Sequence, residues 1–267
     1  MAITSPVSVR SIDQTEFAEL DYQVMRHVFE SQNELGRLCD EAIYQQDLAV
    51  RLQAAGIGPV RTEVPVTVTH RDFRKTYSLD LMVGDAAIYE LKTATRLVSE
   101  HDAQLLNYLF LQGSQHGKLV NFRSPKVETR FINTALTSEA RRRLEASTRR
   151  WWEIDDTSRA FRDILVGLLA DWGGFLEIQL YVDALIHFLG GEETVIRTVP
   201  VTRNGVRLGC QRFHFIGTDV AFRLTAFTDD ALAYEQQLRS LLAHTPLRAI
   251  QWVNMAHHQI EFVTLAR

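Results

Sequence analysis

Residues 75–92 read KTYSLDLMVGDAAIYELK, and their pattern decides the fold. Two apolar runs flank Gly84-Asp85, a turn pair, so the stretch predicts strand, turn, strand. Asp80 lies on the first strand. The second ends in Glu90-Leu91-Lys92, where strand alternation sends Glu90 and Lys92 to one face and Leu91 to the other. An exposed Glu90–Lys92 ion pair on a strand end would be worth little. Each charge, however, is flanked by apolar residues (Leu79, Leu81 and Met82; Ile88, Tyr89 and Leu91), the pattern of central strands buried on both faces. Two carboxylates about 4 Å apart repel by roughly 4 kcal/mol at an effective dielectric of about 20, and a third from Glu41 would add to this. A divalent cation removes that cost. Oxygen ligands with no His or Cys nearby favour Mg²⁺, with Mn²⁺ able to substitute, over zinc.

Upstream, Phe17, Leu20, Val24 and Val28 recur at helical steps until Gly36 breaks the run. In a second helix Glu41, Tyr44 and Leu48 share a face, and Gly56 and Gly58 end it. PVRTEVPVTVTH from Pro59 reads as a strand, with a turn at His70 to Phe73. Downstream, EHDAQLLNYLFLQG returns to helical spacing, and KLVNF from Lys118 and ETRFIN from Glu128 read as further strands. The expected order is helix, helix, three strands, helix, two strands.

The spacing of Asp80 and Glu90-Leu91-Lys92 resembles the signature of the PD-(D/E)XK nuclease superfamily. Gln104-Leu-Leu-Asn-Tyr108 is similar to the QxxxY motif of its RecB-like and lambda-exonuclease-like branch. The nearer resemblance is to the GxxExxY protein family, through Gly36, Glu41 and Tyr44, the Gln-Leu-Leu-Asn-Tyr-Leu segment at 104–109 and Asn121-Phe122. It covers about Phe17 to Leu136, and departs from the family at Leu38, where a second glycine is usual. The resemblance implies a restriction-endonuclease-like fold in which Asp80, Glu90, Glu41 and the Leu91 carbonyl hold the metal. Lys92 would orient the attacking water or stabilise charge on the phosphate. Gln104 and Tyr108 would position water, metal shell or nucleic-acid backbone. The implied reaction is hydrolysis of a phosphodiester of DNA or RNA by metal-activated water. The rival reading is a nucleic-acid-binding or assembly protein that keeps the fold without cutting.

The second half echoes the first. Aligning residue n with n+133 from Gly84 to Ile132 gives nine identities in 49 positions, among them Gln104 with Gln237, Val120-Asn121 with Val253-Asn254, and Glu128 with Glu261. Val64-Pro65-Val66-Thr67 recurs as Val199-Pro200-Val201-Thr202. The fold class expected is therefore α/β, two tandem restriction-endonuclease-like domains, each a central mixed sheet flanked by helices. The expected boundaries are an active domain at 10–137, a helical linker at 138–159 and an inactive copy at 160–267. In that copy Asp80 falls on Phe213, Glu90 on Arg223, Lys92 on Thr225 and Tyr108 on Leu241, while Glu177 and Tyr181 echo Glu41 and Tyr44. A chain released from catalysis has no reason to hold Glu41, Asp80, Glu90 and Lys92 while its second copy lost three, which favours the enzyme.

Composition is that of a folded chain: 46% hydrophobic, 23% charged, with no apolar run long enough for a bilayer and no signal-peptide pattern at the N-terminus. A cytoplasmic protein without membrane partners is expected, and the repeat could supply a pseudo-dimer or a homo-oligomer. The net charge of −4 provides no bulk attraction to nucleic acid, so a local basic patch must hold it. Arg141 to Arg143 with Arg149 and Arg150 could contact phosphate, but a run like this is more often a solvated helix face. Cys39 and Cys210 are too few for a zinc or iron–sulfur site and are expected reduced and buried. The histidines at 187, 214, 244, 257 and 258 lack ligand spacing, and the four tryptophans are expected to serve packing.

Overall fold

The computed structural model describes residues 2–267, whose contacts divide into two compact units, one ending at Ser138 and the other beginning at Glu139. In the N-terminal unit β1 (Ile3–Thr4), α1 (Gln14–Leu35), α2 (Glu41–Ala54), β2 (Val60–His70), β3 (Phe73–Val83), β4 (Ala87–Lys92), α3 (Ser99–Gln112), β5 (His116–Asn121) and β6 (Glu128–Asn133) follow in order. Helix α1 starts at a capping box: the Asp13 carboxylate accepts from the Thr15 and Glu16 amides, and the Glu16 carboxylate from the Asp13 amide. It stops at Gly36, whose φ of 74° suits a residue without Cβ. The Tyr44 hydroxyl then donates to the Gly36 carbonyl at 2.7 Å while its ring stacks on Phe122. That bond sets how α2 leaves the turn, and hence where its first residue, Glu41, sits.

The six strands form one sheet in chain order. Strands β2, β3 and β4 are antiparallel, joined by turns at Arg71 and at Gly84-Asp85, both of the latter at positive φ. Strand β4 pairs parallel with β5, reached through α3, and β6 returns antiparallel. Leu81, Val83, Tyr89, Leu91 and Val120 pack with Phe17, Val24, Val28, Tyr44 and Leu48 of the two long helices. Gly117 lets α3 lie close on β5, since a Cβ there would meet Leu105, Leu109 and the Ile88 carbonyl at 3.0–3.1 Å.

Helix α4 (Ser138–Arg141) begins at the boundary, and the C-terminal unit continues with β7 (Glu145–Arg150), α5 (Asp156–Trp172), α6 (Ile178–Phe188), α7 (Glu192–Val195), β8 (Ile196–Arg203), β9 (Val206–Phe215), β10 (Val220–Thr225), α8 (Ala231–Ala243), β11 (Ala249–Ala256) and β12 (Gln259–Ala266). Its six-stranded sheet runs β8-β9-β10-β11-β12-β7. From β8 to β12 the senses are antiparallel, antiparallel, parallel, antiparallel, as from β2 to β6. Strands β4 and β10 occupy 87–92 and 220–225, an offset of 133 residues. The same offset relates two loop clamps. Asn121 accepts from the Ala94 amide and donates to its carbonyl, and Asn254 does the same to Phe227.

Several expectations are corrected here. The stretch 138–159 is not a helical linker: Glu145–Arg150 is a strand, parallel to β12 at the sheet edge. Its polar composition reflects that edge position, where most of the strand is exposed. The arginine run is also largely committed. Arg141 is buried and donates to the carbonyls of Trp172 and Gly174, Arg143 pairs with Glu139, and Arg150 binds both oxygens of Glu235 at 2.6 Å. Cys39 is half-buried and Cys210 exposed, because Cys210 lies on the solvent face of a projecting strand. Trp172 and Trp252 are buried, whereas Trp152 is exposed. Among the described residues no helix is long and apolar enough to cross a membrane.

Candidate active site

The β3–β4 ladder holds only Leu81↔Tyr89, Met82↔Ile88 and Val83↔Ala87. The next pair would be Asp80 with Glu90, and there the ladder stops. Where a cross-strand pair is missing, backbone groups need other partners. The Asp80 carboxylate supplies one, accepting the Leu91 amide at 2.8 Å. Strand β4 remains in register with β5 through Glu90↔Leu119 and Lys92↔Asn121, so Glu90 and Lys92 keep one face of a central strand.

Glu90 is 1% exposed. One of its oxygens accepts from the Lys92 ammonium at 2.6 Å; the other, Oε2, is buried without a hydrogen-bond partner. Burial, and then the neighbouring Asp80 charge, pushes the Glu90 carboxyl up to about 8. Burial likewise raises Asp80 to about 6, against the Leu91 amide and the Lys92 charge that favour its ionised form. Burial works against the Lys92 charge too, but Glu90, by charge and hydrogen bond, outweighs it and holds the ammonium above its ordinary range. The Glu41 carboxylate acts on all three groups from the first turn of α2.

Gln104 and Tyr108 face each other one turn apart on α3, the amide donating to the phenol at 3.0 Å. Burial, opposed by that hydrogen bond and reinforced by the charges of Glu90 and Asp80, raises the Tyr108 hydroxyl. The six residues singled out from sequence thus share one electrostatic neighbourhood.

Two further residues escaped the sequence reading. Gln45 donates from α2 to the Asp80 carbonyl and to Glu63, both at 2.7 Å. Glu63 interrupts β2 opposite Asp80 with a φ of 50°, and also accepts from Ser78. Those two hydrogen bonds, Ser78 first, keep its carboxylate below the usual range, and its charge adds to the load on Asp80. Gln45 was detectable, since it lies four residues after Glu41 on the same helix face. Glu63 was not, because nothing local marks its left-handed backbone.

Among the described residues no group of three or more His, Cys, Asp or Glu forms a ready-made metal cage. The residues nonetheless fit a hard cation. The buried Glu90 Oε2 lacks a partner, two carboxyl groups are held above their ordinary range by burial and by neighbouring carboxylates, and the donors are oxygens.

The corresponding position in the C-terminal unit has different chemistry. The β9–β10 ladder stops likewise, after Phe222↔His214. Next along are Phe213 and Arg223, with the guanidinium 5.5 Å from the ring centroid, a cation–π contact in place of two carboxylates. Tyr181 donates to the Gly173 carbonyl at 2.6 Å, as Tyr44 does to Gly36. This register corrects the expected echo of Glu41 by Glu177: five residues after each glycine stand Glu41 and Ile178, and Glu177 is the N-cap.

Residues 18–132 match the family model of the PD-(D/E)XK nuclease superfamily, a stretch running from α1 into β6 that contains every residue of this site. No curated protein and no solved structure matches the chain.

Proposed function

We propose that the N-terminal unit is a Mg²⁺-dependent nuclease, with Mn²⁺ able to substitute, that hydrolyses phosphodiester bonds of DNA or RNA at one site. The superfamily match over residues 18–132 supports the reaction class. The observation that carries the reading to particular atoms is Glu90, a nearly fully buried carboxylate with one oxygen on Lys92 and one without a partner, beside Asp80. Such a group is costly in an isolated protein, and its retention is explained by a cation. Asp80, Glu90, Glu41 and the Leu91 carbonyl would hold it. When bound, the cation supplies a Lewis acid for the phosphate and lowers the pKa of water.

Protonated Lys92, kept in place by Glu90, would stabilise negative charge developing on the phosphate. Gln104 and Tyr108 form a hydrogen-bonded pair that would orient water or the substrate backbone. The Gly36–Tyr44 bond supports assignment to the GxxExxY family, and the Gln104–Tyr108 pair supports the RecB-like branch. Like strand order, the 133-residue offset, paired asparagine clamps and paired glycine–tyrosine bonds support an internal duplication. In the second copy Ile178, Phe213, Arg223 and Thr225 stand at the places of Glu41, Asp80, Glu90 and Lys92, so that copy is proposed to be catalytically dead.

The test is incubation with labelled single- and double-stranded DNA and RNA, with and without Mg²⁺ or Mn²⁺. Wild type should cut at least one substrate only with the metal. Asp80→Ala and Lys92→Ala should each lose at least about a hundredfold in rate, the size of effect seen when a group stabilising the transition state is removed. Cleavage that persists in both variants overturns the site. Failure of wild type on all four substrates while binding persists favours a non-cutting, nucleic-acid-binding protein.

A further inference from the structure

We propose that the β8–β9 hairpin of the C-terminal unit is a duplex-DNA-binding ribbon. Strand β9 pairs with β10 only at His214 and Phe215, so from Phe213 outward β8 and β9 form a two-stranded ribbon with no third strand. Every residue from Arg203 to Arg212 is exposed, which leaves both faces of its outer part in solvent. Val206 and Leu208 are 62% and 64% exposed, unusual for strand residues of this type. The corresponding hairpin of the N-terminal unit differs: β1 lies along β2, and His70 and Phe73 at its turn are buried.

The charge of the ribbon is one-sided. Residues 196–215 contain four arginines and no Asp or Glu, in a chain whose acidic residues outnumber its basic ones 33 to 29. Elsewhere in this unit Arg150, Arg159, Arg162, Arg239 and Arg248 are ion-paired. Among the described residues Arg203, Arg207 and Arg212 have no carboxylate partner. Arg197, at the root, donates to the Gly217 carbonyl and lies over Phe215, so it belongs to the scaffold.

The register distributes the free charges. Arg212 pairs across with Thr198 and Arg207 with Thr202, on either side of the Pro200–Cys210 pair, and a bulge at Leu208 keeps both arginines on one face. The Arg207 guanidinium reaches Cys210 Sγ at 2.7 Å on that same face. Arg203, paired with Val206, lies on the other. Three guanidiniums without a carboxylate partner, on both faces of a free ribbon, match a partner with phosphates on both sides, which is a groove. The B-form major groove, about 12 Å wide, admits a two-stranded β-ribbon. The deep, narrow major groove of an A-form RNA duplex excludes it. The proposal rests on nucleic acid being the partner of this protein, not on its being cut.

The experiment measures binding of labelled duplex DNA, single-stranded DNA and duplex RNA to the full chain by fluorescence anisotropy in EDTA, so that nothing is hydrolysed. Wild type should prefer duplex DNA. The triple variant Arg203→Ala, Arg207→Ala, Arg212→Ala should bind it at least about tenfold more weakly, with a log–log salt slope shallower by about 2.7 if each arginine releases its counterion. The triple lysine variant should keep most of the affinity, separating charge from folding, and both variants should melt as wild type does. Loss of binding in the alanine triple supports the ribbon even if no substrate is ever cut, in which case the nuclease reading alone falls. Unchanged duplex affinity in the alanine triple, no binding by wild type, or preference for RNA or single strands overturns it. So does an alanine triple whose defect appears only on vesicles of anionic lipid.

Discussion

Glu90 is where the electrostatics of the N-terminal unit concentrate. In the folded, cation-free protein its carboxyl is raised to about 8 by burial and by Asp80, whereas an unfolded chain releases that proton near pH 4.3. The native state therefore binds the proton more tightly than the unfolded state. It loses stability as the pH climbs from about 4 to about 8, and Asp80, raised to about 6, adds in the same direction. A cation competes with these protons. The rise in melting temperature on adding Mg²⁺ or Mn²⁺ should thus be larger at pH 8 than at pH 6. Differential scanning calorimetry checks this, with Glu90→Gln expected to lose the part of the destabilisation that falls between about pH 6 and pH 8 and most of the response to metal. A response independent of pH, or one retained by Glu90→Gln, would count against the assignment. Of the neighbouring residues, Gln45 could be read from helical spacing, because the pitch alone places it above Glu41. Glu63 could not, since only the pairing of its neighbours Thr62 and Val64 with β3 puts it opposite Asp80.

At the scale of elements, the two asparagine clamps show how the sheets hold the loops after their parallel strands. Asn121 binds the amide and carbonyl of Ala94, two residues after Lys92, and Asn254 binds those of Phe227. Both asparagines are buried, and removing either side chain takes two part-buried hydrogen bonds from the loop it holds. Asn121→Ala and Asn254→Ala should each lower unfolding free energy by about 1–3 kcal/mol in urea titrations. Cleavage should separate them: Asn121→Ala loosens the loop that follows Lys92 and slows cutting, and Asn254→Ala does not. The strands that carry this arrangement were legible, since Gly84-Asp85 and the apolar runs beside it encode a hairpin locally. Strand β7 was not. Its polar residues have no strand signature of their own and become a strand only because β12 offers an edge to pair with.

Over the whole molecule, the protein combines two units of like topology and unlike chemistry. Where the N-terminal ladder opens onto Asp80 and Glu90, the C-terminal ladder opens onto Phe213 and Arg223. The proposed single site predicts that Arg223→Ala leaves cleavage unchanged, costing about 1–2 kcal/mol for a part-buried cation–π contact. It also predicts that Asp80→Ala abolishes metal-dependent cleavage with no residual activity from the second unit. Rate measurements on the two variants side by side decide the point. The densest arginine run, preferred as a solvated face over a phosphate contact, lies where the fold has carboxylates and carbonyls to occupy it. Arg203, Arg207 and Arg212, sparser along β8 and β9, have no carboxylate beside them among the described residues.

The sequence by itself determined the strand–turn–strand unit, the common face of Glu90 and Lys92, the two helices before it and the offset between the halves. All of these follow from alternation, helical pitch and turn chemistry, which act over a few residues. Only the tertiary structure decided that the β3–β4 ladder ends at Leu81 and Tyr89, that Glu90 keeps an oxygen without a partner, and that Ile178 rather than Glu177 stands in the place of Glu41. It also decided that one hairpin projects with its arginines unpaired. Those outcomes depend on which distant strand, carbonyl or carboxylate comes to lie beside a residue, and local sequence does not carry that information.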